Sequence, residues 1–204
     1  LRLFLAVEED ILTFLRMTSR KMTISCSEFD KVAIIGNLNN DQVYTFWRPQ
    51  APPGFAVLGD YLTPVDKPPT TPVLAVNMNL VKIKRPESFI LIWPRDASSY
   101  ASDPEGITRV QKPVLRDVNC SIWYPVAPKG YVAVGCVASS GAAPPPLSSS
   151  FCILASLVSR CPLRDCIMIG AGNGDSPATA FWRVDNCLGT FLPAESSSLN
   201  LVCG

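Results

Sequence analysis

The sequence predicts an all-β, antiparallel, sandwich-like module, and three observations carry that expectation. The chain has 19 prolines against 12 glycines in 204 residues. Proline fixes its own φ and cannot donate to a ladder, so it cuts the chain into short elements. The apolar stretches are brief and favour strands, as in "YTFW" and "CSIW". Finally, one block of sequence occurs twice at a constant spacing.

That spacing is 76 residues, read from Trp47 to Trp123. It lays "WRPQAPPGFAVLG" (47–59) on "WYPVAPKGYVAVG" (123–135). Trp47, Pro49, Pro52, Gly54 and Gly59 thereby meet Trp123, Pro125, Pro128, Gly130 and Gly135. Further on, Pro68, Pro69 and Pro86 meet Pro144, Pro145 and Pro162. A weaker echo, "FWRVDNCLGTFLP" (181–193), keeps Phe-Trp-Arg but loses the prolines. Its Gly189 lies seven residues after Trp182, as Gly54 and Gly130 do after their tryptophans. Repetition of this kind means a supersecondary unit stacked on itself around a continuing core. The expected organisation is an N-terminal amphipathic segment (1–22), a first β-repeat (23–100), a second (101–175) and the start of a truncated third (176–204).

Within residues 1–18, Leu1, Phe4, Leu5, Ile11, Leu12 and Leu15 fall near helical spacing, which predicts a short N-terminal helix. "KVAIIG" (31–36) reads as a strand and "NLNNDQ" (37–42) as a turn. "YTFW" and "CSIW" follow as strands, stopped by the Pro-rich bend, where Gly54 or Gly130 is free to take positive φ. "FAVLG" and "YVAVG" read as a second strand beside the first, with the tryptophan plugging the core beneath the bend. "VLAVNMNLVKIKR" (73–85) and "SFILIW" (88–93) read as paired strands around "RPE". "SSGAAPPPLSSS" (139–150) reads as a flexible loop facing solvent. The chain starts at Leu1 and stops at "LNLVCG", which suggests a piece of something longer.

The composition narrows the chemistry. Hydrophobic residues make up 48% and charged residues 17%, so the chain folds rather than staying disordered. A net charge of +1 offers no basic excess for nucleic acid. With no histidine, Ser-His and Cys-His catalysis are excluded. The eight cysteines are not shared between the repeats: Cys120, Cys136, Cys152, Cys161 and Cys166 fall on Tyr44, Asp60, Val76, Arg85 and Ile90. They read as small buried hydrophobes in a reducing compartment, with a Cys161–Cys166 bridge as the lesser reading. "IGAGNGDS" (169–176) has Asp175 where a dinucleotide loop needs glycine, and no helix pattern follows. The carboxylates are scattered, and no pair is marked out for acid–base work. No catalytic, cofactor-binding or metal-binding residue is expected. The twelve tryptophans, prolines and glycines named above are expected to be structural.

Two stretches carry a family resemblance. "FWRPQAPPGFAVLGDYLTPVDKPPTTPVLAVN" (46–77) and "AFWRVDNCLGTFLPAESSSLNLVCG" (180–204) resemble plant members of the vacuolar protein sorting-associated protein 13 family. "WYPVAPKGYVAVG" also resembles the plant vacuolar protein sorting-associated protein 62 domain. The resemblance spans residues 28–204. It implies a large cytosolic protein, peripheral at organelle membranes, that conducts phospholipids along a hydrophobic groove at membrane contact sites. This chain would be an accessory β module of such a bridge-like lipid transfer protein. Its implied partners are an adaptor protein, neighbouring domains of the same chain, or membrane phospholipid, with no nucleic acid. The family implies no binding residue that Asn77 or another asparagine here matches. The alternative function is a carbohydrate-binding β module using Trp47, Trp123 or Tyr131 as exposed platforms.

Overall fold

A computed structural model describes residues 22–36, 43–94, 120–170 and 179–194. The expected N-terminal helix falls on 1–22 and lies outside the described residues apart from Met22. The all-β, antiparallel expectation holds. Fifteen strands, numbered β1 to β15 in chain order, form five three-stranded antiparallel sheets among the described residues.

Three sheets are built alike, each around a tryptophan strand. The first holds β2 (Phe29–Gly36), β3 (Val43–Pro49) and β5 (Tyr61–Thr63), with β3 in the middle. The second holds β8 (Ser88–Trp93), β9 (Ser121–Val126) and β11 (Val137–Ser139), with β9 in the middle. The third holds β13 (Leu163–Gly170), β14 (Thr179–Val184) and β15 (Phe191–Ala194), with β14 in the middle. Two outer sheets complete the set. One is β1 (Thr23–Cys26), β6 (Val73–Asn77) and β4 (Phe55–Ala56); the other is β7 (Ile83–Lys84), β12 (Cys152–Leu154) and β10 (Tyr131–Val132).

The registers superpose. Trp47 pairs with Lys31 and Tyr61, Trp123 with Leu91 and Val137, and Trp182 with Cys166 and Leu192. Each sheet has an irregularity at the same rung, between Lys31 and Ala33, Leu91 and Trp93, and Cys166 and Met168. The extra residue is Val32, Ile92 or Ile167. A bulge adds an unpaired residue and sharpens the local twist. Here all three extra residues are partly buried against the central core. The bulge therefore lets two successive side chains serve the core where strict alternation would offer one.

Successive strand residues point to opposite faces. Phe46, Ile122 and Phe181, each just before its tryptophan, are fully buried and belong to one cluster with Leu62, Cys136, Ala138, Met168 and Phe191. Phe191 packs against Phe46 at 5.7 Å and Phe181 at 6.0 Å between ring centroids. Three sheets thus turn one face each to a single shared core. A second cluster joins the two outer sheets through Ala56, Leu58, Val76, Val81 and Ile153.

Several strand assignments differ from the sequence reading. "FAVLG" contributes only Phe55–Ala56, which pairs with β6; the strand beside Trp47 is Tyr61–Thr63. The run 73–85 is not one strand, because Leu80 and Val81 donate to the Asn77 carbonyl and close a turn. Ser88–Trp93 pairs with the Trp123 strand rather than with β6 or β7. Likewise "FWRV" is the middle strand of the third sheet, and its hairpin partner is 163–170. The hydrogen-bonded grouping therefore runs across the sequence repeat. The loop 139–150 is pinned rather than loose: Ser121 Oγ donates to the Gly141 carbonyl, and Ser149 and Ser150 are buried.

The three units close on one another at the strands' inner ends. Asp60 N donates to the Cys136 carbonyl at 3.0 Å, and Cys136 N to the Phe191 carbonyl at 2.9 Å. Thr190 Oγ1 donates to the Val134 carbonyl at 2.8 Å. Glycine permits this approach, since a Cβ on Gly135 would lie 2.4 Å from Thr190 Cβ. Gly36 meets nothing within 4 Å. Gly135→Ala is expected to destabilise the chain by about 1–3 kcal/mol through overpacking, seen as a lower urea midpoint. Gly36→Ala should leave that midpoint within about 0.5 kcal/mol of wild type.

Candidate docking surface

The repeat residues serve three structural tasks. Gly54 and Gly130 have φ of +86° and +83°, as their turns require. Gly189 also has positive φ, +68°. By register, however, Thr190 holds the place of Gly59 and Gly135, two residues before the partner of its sheet's tryptophan, and Gly189 falls one residue earlier. The third unit lacks the excursion that forms β4 and β10 in the others, so the seven-residue match to Gly54 brought unlike positions together. Pro49 and Pro125 sit on the tryptophan strands, and Pro52 and Pro128 accept the turn-closing bonds from Phe55 and Tyr131.

Trp47 and Trp123 are buried at 6% and 8% exposure, while Trp182 is half-buried. Trp47 and Trp123 lie outside the central cluster, on the far face of their sheets. Return loops lie along that face. Thr63 Oγ1 donates to the Val65 carbonyl, and Asp66 meets Thr45 and Lys31. Lys31 stands 5.6 Å from the Trp47 ring centroid. Lys31 also draws the exposed Asp66 carboxyl below its ordinary value, chiefly through their hydrogen bond.

Hydroxyl chemistry separates the three indoles. Thr45 faces Thr63 and Ser121 faces Ser139 across the first two sheets; the corresponding pair in the third is Ala180 and Ala194. Trp47 Nε1 donates to Thr63 Oγ1, and Trp123 Nε1 to Ser121 Oγ, both at 2.8 Å. Among the described residues, Trp182 Nε1 is buried without a partner. Trp93 Nε1 is in the same state, and nothing in the structure explains it.

The residue after each tryptophan clamps its neighbourhood. Arg48 Nε and Nη2 grip Asp60 at 2.9 and 2.8 Å, and Nη2 also donates to the Ala138 carbonyl at 3.0 Å. Ala138 N donates back to Asp60 Oδ2 at 2.8 Å. The Asp60 side chain has no exposed surface. Burial pushes its carboxyl above the ordinary value, against the opposing pull of Arg48 and the Ala138 amide. Tyr124 uses the equivalent place to donate to the Ala133 carbonyl. Arg183 donates to the Leu62 and Gly189 carbonyls and lies 3.9 Å over the Tyr61 ring; burial lowers its pKa. Sequence reading missed the Arg48–Asp60 pair. Its available signal was an acid in "LGDY" where the second repeat has Cys136.

The seven described cysteines are free thiols, with Cys26, Cys120, Cys136 and Cys152 buried. Cys161 and Cys166 are unbridged. Burial pushes the Cys120 thiol up to about 12 and Cys152 to about 11, and raises Cys136 as well. No group of three or more Cys, Asp or Glu is placed to hold a metal among the described residues. "IGAGNGDS" falls outside them beyond Gly170. The carbohydrate reading needs open rings, yet Trp47 and Trp123 are buried and Lys84 lies 4.9 Å over the Tyr131 ring.

What the module does present is one end made of turns. Met78 N donates to the Gly54 carbonyl, Leu154 N to Lys82 and Ala155 N to Gly130. These bonds link the turns at 52–54, 77–81 and 128–130 into a continuous ridge. Pro52, Pro53, Met78, Leu80, Lys82, Lys84 and Lys129 are exposed along it. Lys82, just before β7, and Lys84 within it are both exposed and flank the half-buried Ile83.

The fold defines a class of protein: an all-β repeat module with three tryptophan-centred sheets on one core. The model of the family vacuolar protein sorting-associated protein 62 matches residues 17–187, and the chain belongs to that family. It is therefore a β module of a vacuolar sorting-related protein. The crystal structure of GNIP1Aa from Chromobacterium piscinae is similar in fold, with a TM-score of 0.64 at 15% identity. The match covers 98% of this chain and 42% of that one, so this chain spans less than half of its solved neighbour. No curated protein matches the chain.

The buried clamp yields a direct test. Asp60→Asn removes the charge that Arg48 was folded around, and such half-broken pairs cost about 3–5 kcal/mol. Asp60→Asn with Arg48→Met should recover at least half of that loss. Urea denaturation of the wild type and the two variants measures both terms.

Proposed function

We propose that this chain is a non-enzymatic β-repeat module of a lipid-transfer protein of the vacuolar protein sorting-associated protein 13 kind. It acts as scaffold and as an adaptor or membrane docking surface, on the cytosolic side of organelle membranes. The observation that carries this reading is how its buried ionic groups are spent. Arg48, Asp60 and Arg183 all hold sheets together through pairs and backbone carbonyls. The ridge of turns is left as the surface for partners. Family membership supports a place in vacuolar protein sorting.

The module is an accessory rather than the lipid conduit. Its longest described strands, β2 and β13, have eight residues each. Strands of that length rise roughly 27 Å and here face a filled core. Among the described residues, no helix is long and apolar enough to cross a membrane, which accords with a peripheral role.

A fluorescent fusion of the whole chain, imaged in plant cells and followed by fractionation, tests the reading. The expected result is enrichment at organelle membranes that alkaline carbonate washes off. A uniformly cytosolic distribution would contradict it. Glycan-array binding lost on Tyr131→Ala would favour the carbohydrate function instead.

A further inference from the structure

We propose that the turn at 77–81 docks the module on an anionic bilayer, with Met78 and Leu80 entering the headgroup layer and Lys82, Lys84 and Arg85 meeting lipid phosphates. This deepens the docking reading above and rests on it. Three observations carry it.

The first is exposure. Met78 and Leu80 are 44% and 54% exposed on one turn, an uncommon place for two large apolar side chains. Val81, next in line, is buried at 6% and anchors the turn to the second core.

The second is hydrogen bonding. Leu80 N and Val81 N both donate to the Asn77 carbonyl, Asn79 N to Asn77 Oδ1, and Met78 N to the Gly54 carbonyl. Every amide from 78 to 81 is thus satisfied within the protein. Bare amides are what make irregular backbone costly in an apolar phase. This turn carries apolar side chains outward without that penalty, and it is closed before contact.

The third is charge. Residues 67–86 and 118–164, which supply the ridge from Met78 onward, contain no Asp or Glu. They carry Lys67, Lys82, Lys84, Arg85, Lys129, Arg160 and Arg164, all exposed, and the nearest acid in sequence to the turn's cations is the exposed Glu87, two residues beyond Arg85. A net charge of +1 for the whole chain therefore hides two stretches that carry positive charge alone. Long cationic side chains beside apolar ones can lay their stems on the apolar layer and reach phosphate with their heads. Each cation near an anionic leaflet strengthens binding about fivefold. A protein partner would be met by a groove or an open strand edge; a protruding turn with its own bonds closed fits a fluid surface better.

Co-sedimentation of the full chain with phosphatidylcholine vesicles, with and without phosphatidylserine, tests the inference. Binding is expected to the phosphatidylserine vesicles, weakened by added salt. Met78→Ser with Leu80→Ser, and separately Lys82→Gln with Lys84→Gln and Arg85→Gln, should each cut it at least tenfold. Val65→Ser and Ile90→Ser, exposed apolar sites elsewhere, should leave it unchanged. Circular dichroism confirms that each variant is folded. Failure of the wild-type chain to bind phosphatidylserine vesicles, or full binding by either ridge variant, would overturn the inference. Self-association lost in the Met78→Ser, Leu80→Ser variant, without vesicle binding, would assign the turn to a second copy and overturn it too. Membrane enrichment of the fusion in cells with no vesicle binding would leave the docking module standing and remove only its lipid contact.

Discussion

Backbone meets backbone where the three tryptophan sheets converge, and that contact governs the rest of the structure. Asp60 donates to Cys136, Cys136 to Phe191, and Thr190 to Val134. The relay crosses all three units, and its last bond comes from the Thr190 side chain, which lies directly against Gly135. It is short because glycine stands there, and glycine's lost entropy is the cost of admitting it. Once the strand ends are tied, Phe46, Ile122 and Phe181 are aimed at a common point. The bulges at Val32, Ile92 and Ile167 then fill the space that regular strands would leave. The buried Arg48–Asp60 pair is a consequence of the same closure. It bonds to Ala138 of the second sheet while sitting on the first, so neither sheet encloses it alone.

The three units share geometry and have diverged in chemistry. A cross-strand hydroxyl pair serves the indole in two of them and is replaced by alanines in the third. The clamp position is Arg48, Tyr124 or Arg183, and each finds a different backbone carbonyl. The position across from the clamp is Asp60, Cys136 or Phe191. Each of these side chains faces a neighbouring unit, so each answers a different environment. Threefold geometry in the backbone is therefore compatible with a sequence in which two units look alike and the third is only an echo.

That distinction explains what could be read from the sequence. The strand class, the turn glycines Gly54 and Gly130, and the buried tryptophans all follow from local rules: β propensity, positive φ and uniform apolar surroundings. Pairing does not. "SFILIW" lies next to "KIKR" in sequence, yet bonds to a strand beyond residue 119 because the sheet, not the repeat, is the packed unit. Gly189 shows the same limit. Spacing from Trp182 matched it to Gly54, whereas by register the third unit is shorter between its second and third strands, so that Gly189 falls at the place of Leu58 and Thr190 at that of Gly59. Asp60 was one carboxylate among many until the fold brought Arg48 and the Ala138 amide around it. The ridge was half legible: "KIKR" stood out, but its link to the turns at 52–54 and 128–130 depends on hydrogen bonds between segments far apart in sequence.

Rigidity and function join at this point. A ridge assembled from turns of two repeats keeps its shape only while the units remain one body, since no single repeat supplies it. The central claim is that the sheets form one cooperative structure closed by the axial relay. Native-state hydrogen exchange at the Asp60 and Cys136 amides tests it most directly. Both should exchange only through global unfolding, with the same denaturant dependence as the amides of Phe46, Ile122 and Phe181. Exchange of one sheet's amides at a distinctly lower free energy, with the other two still protected, would contradict it.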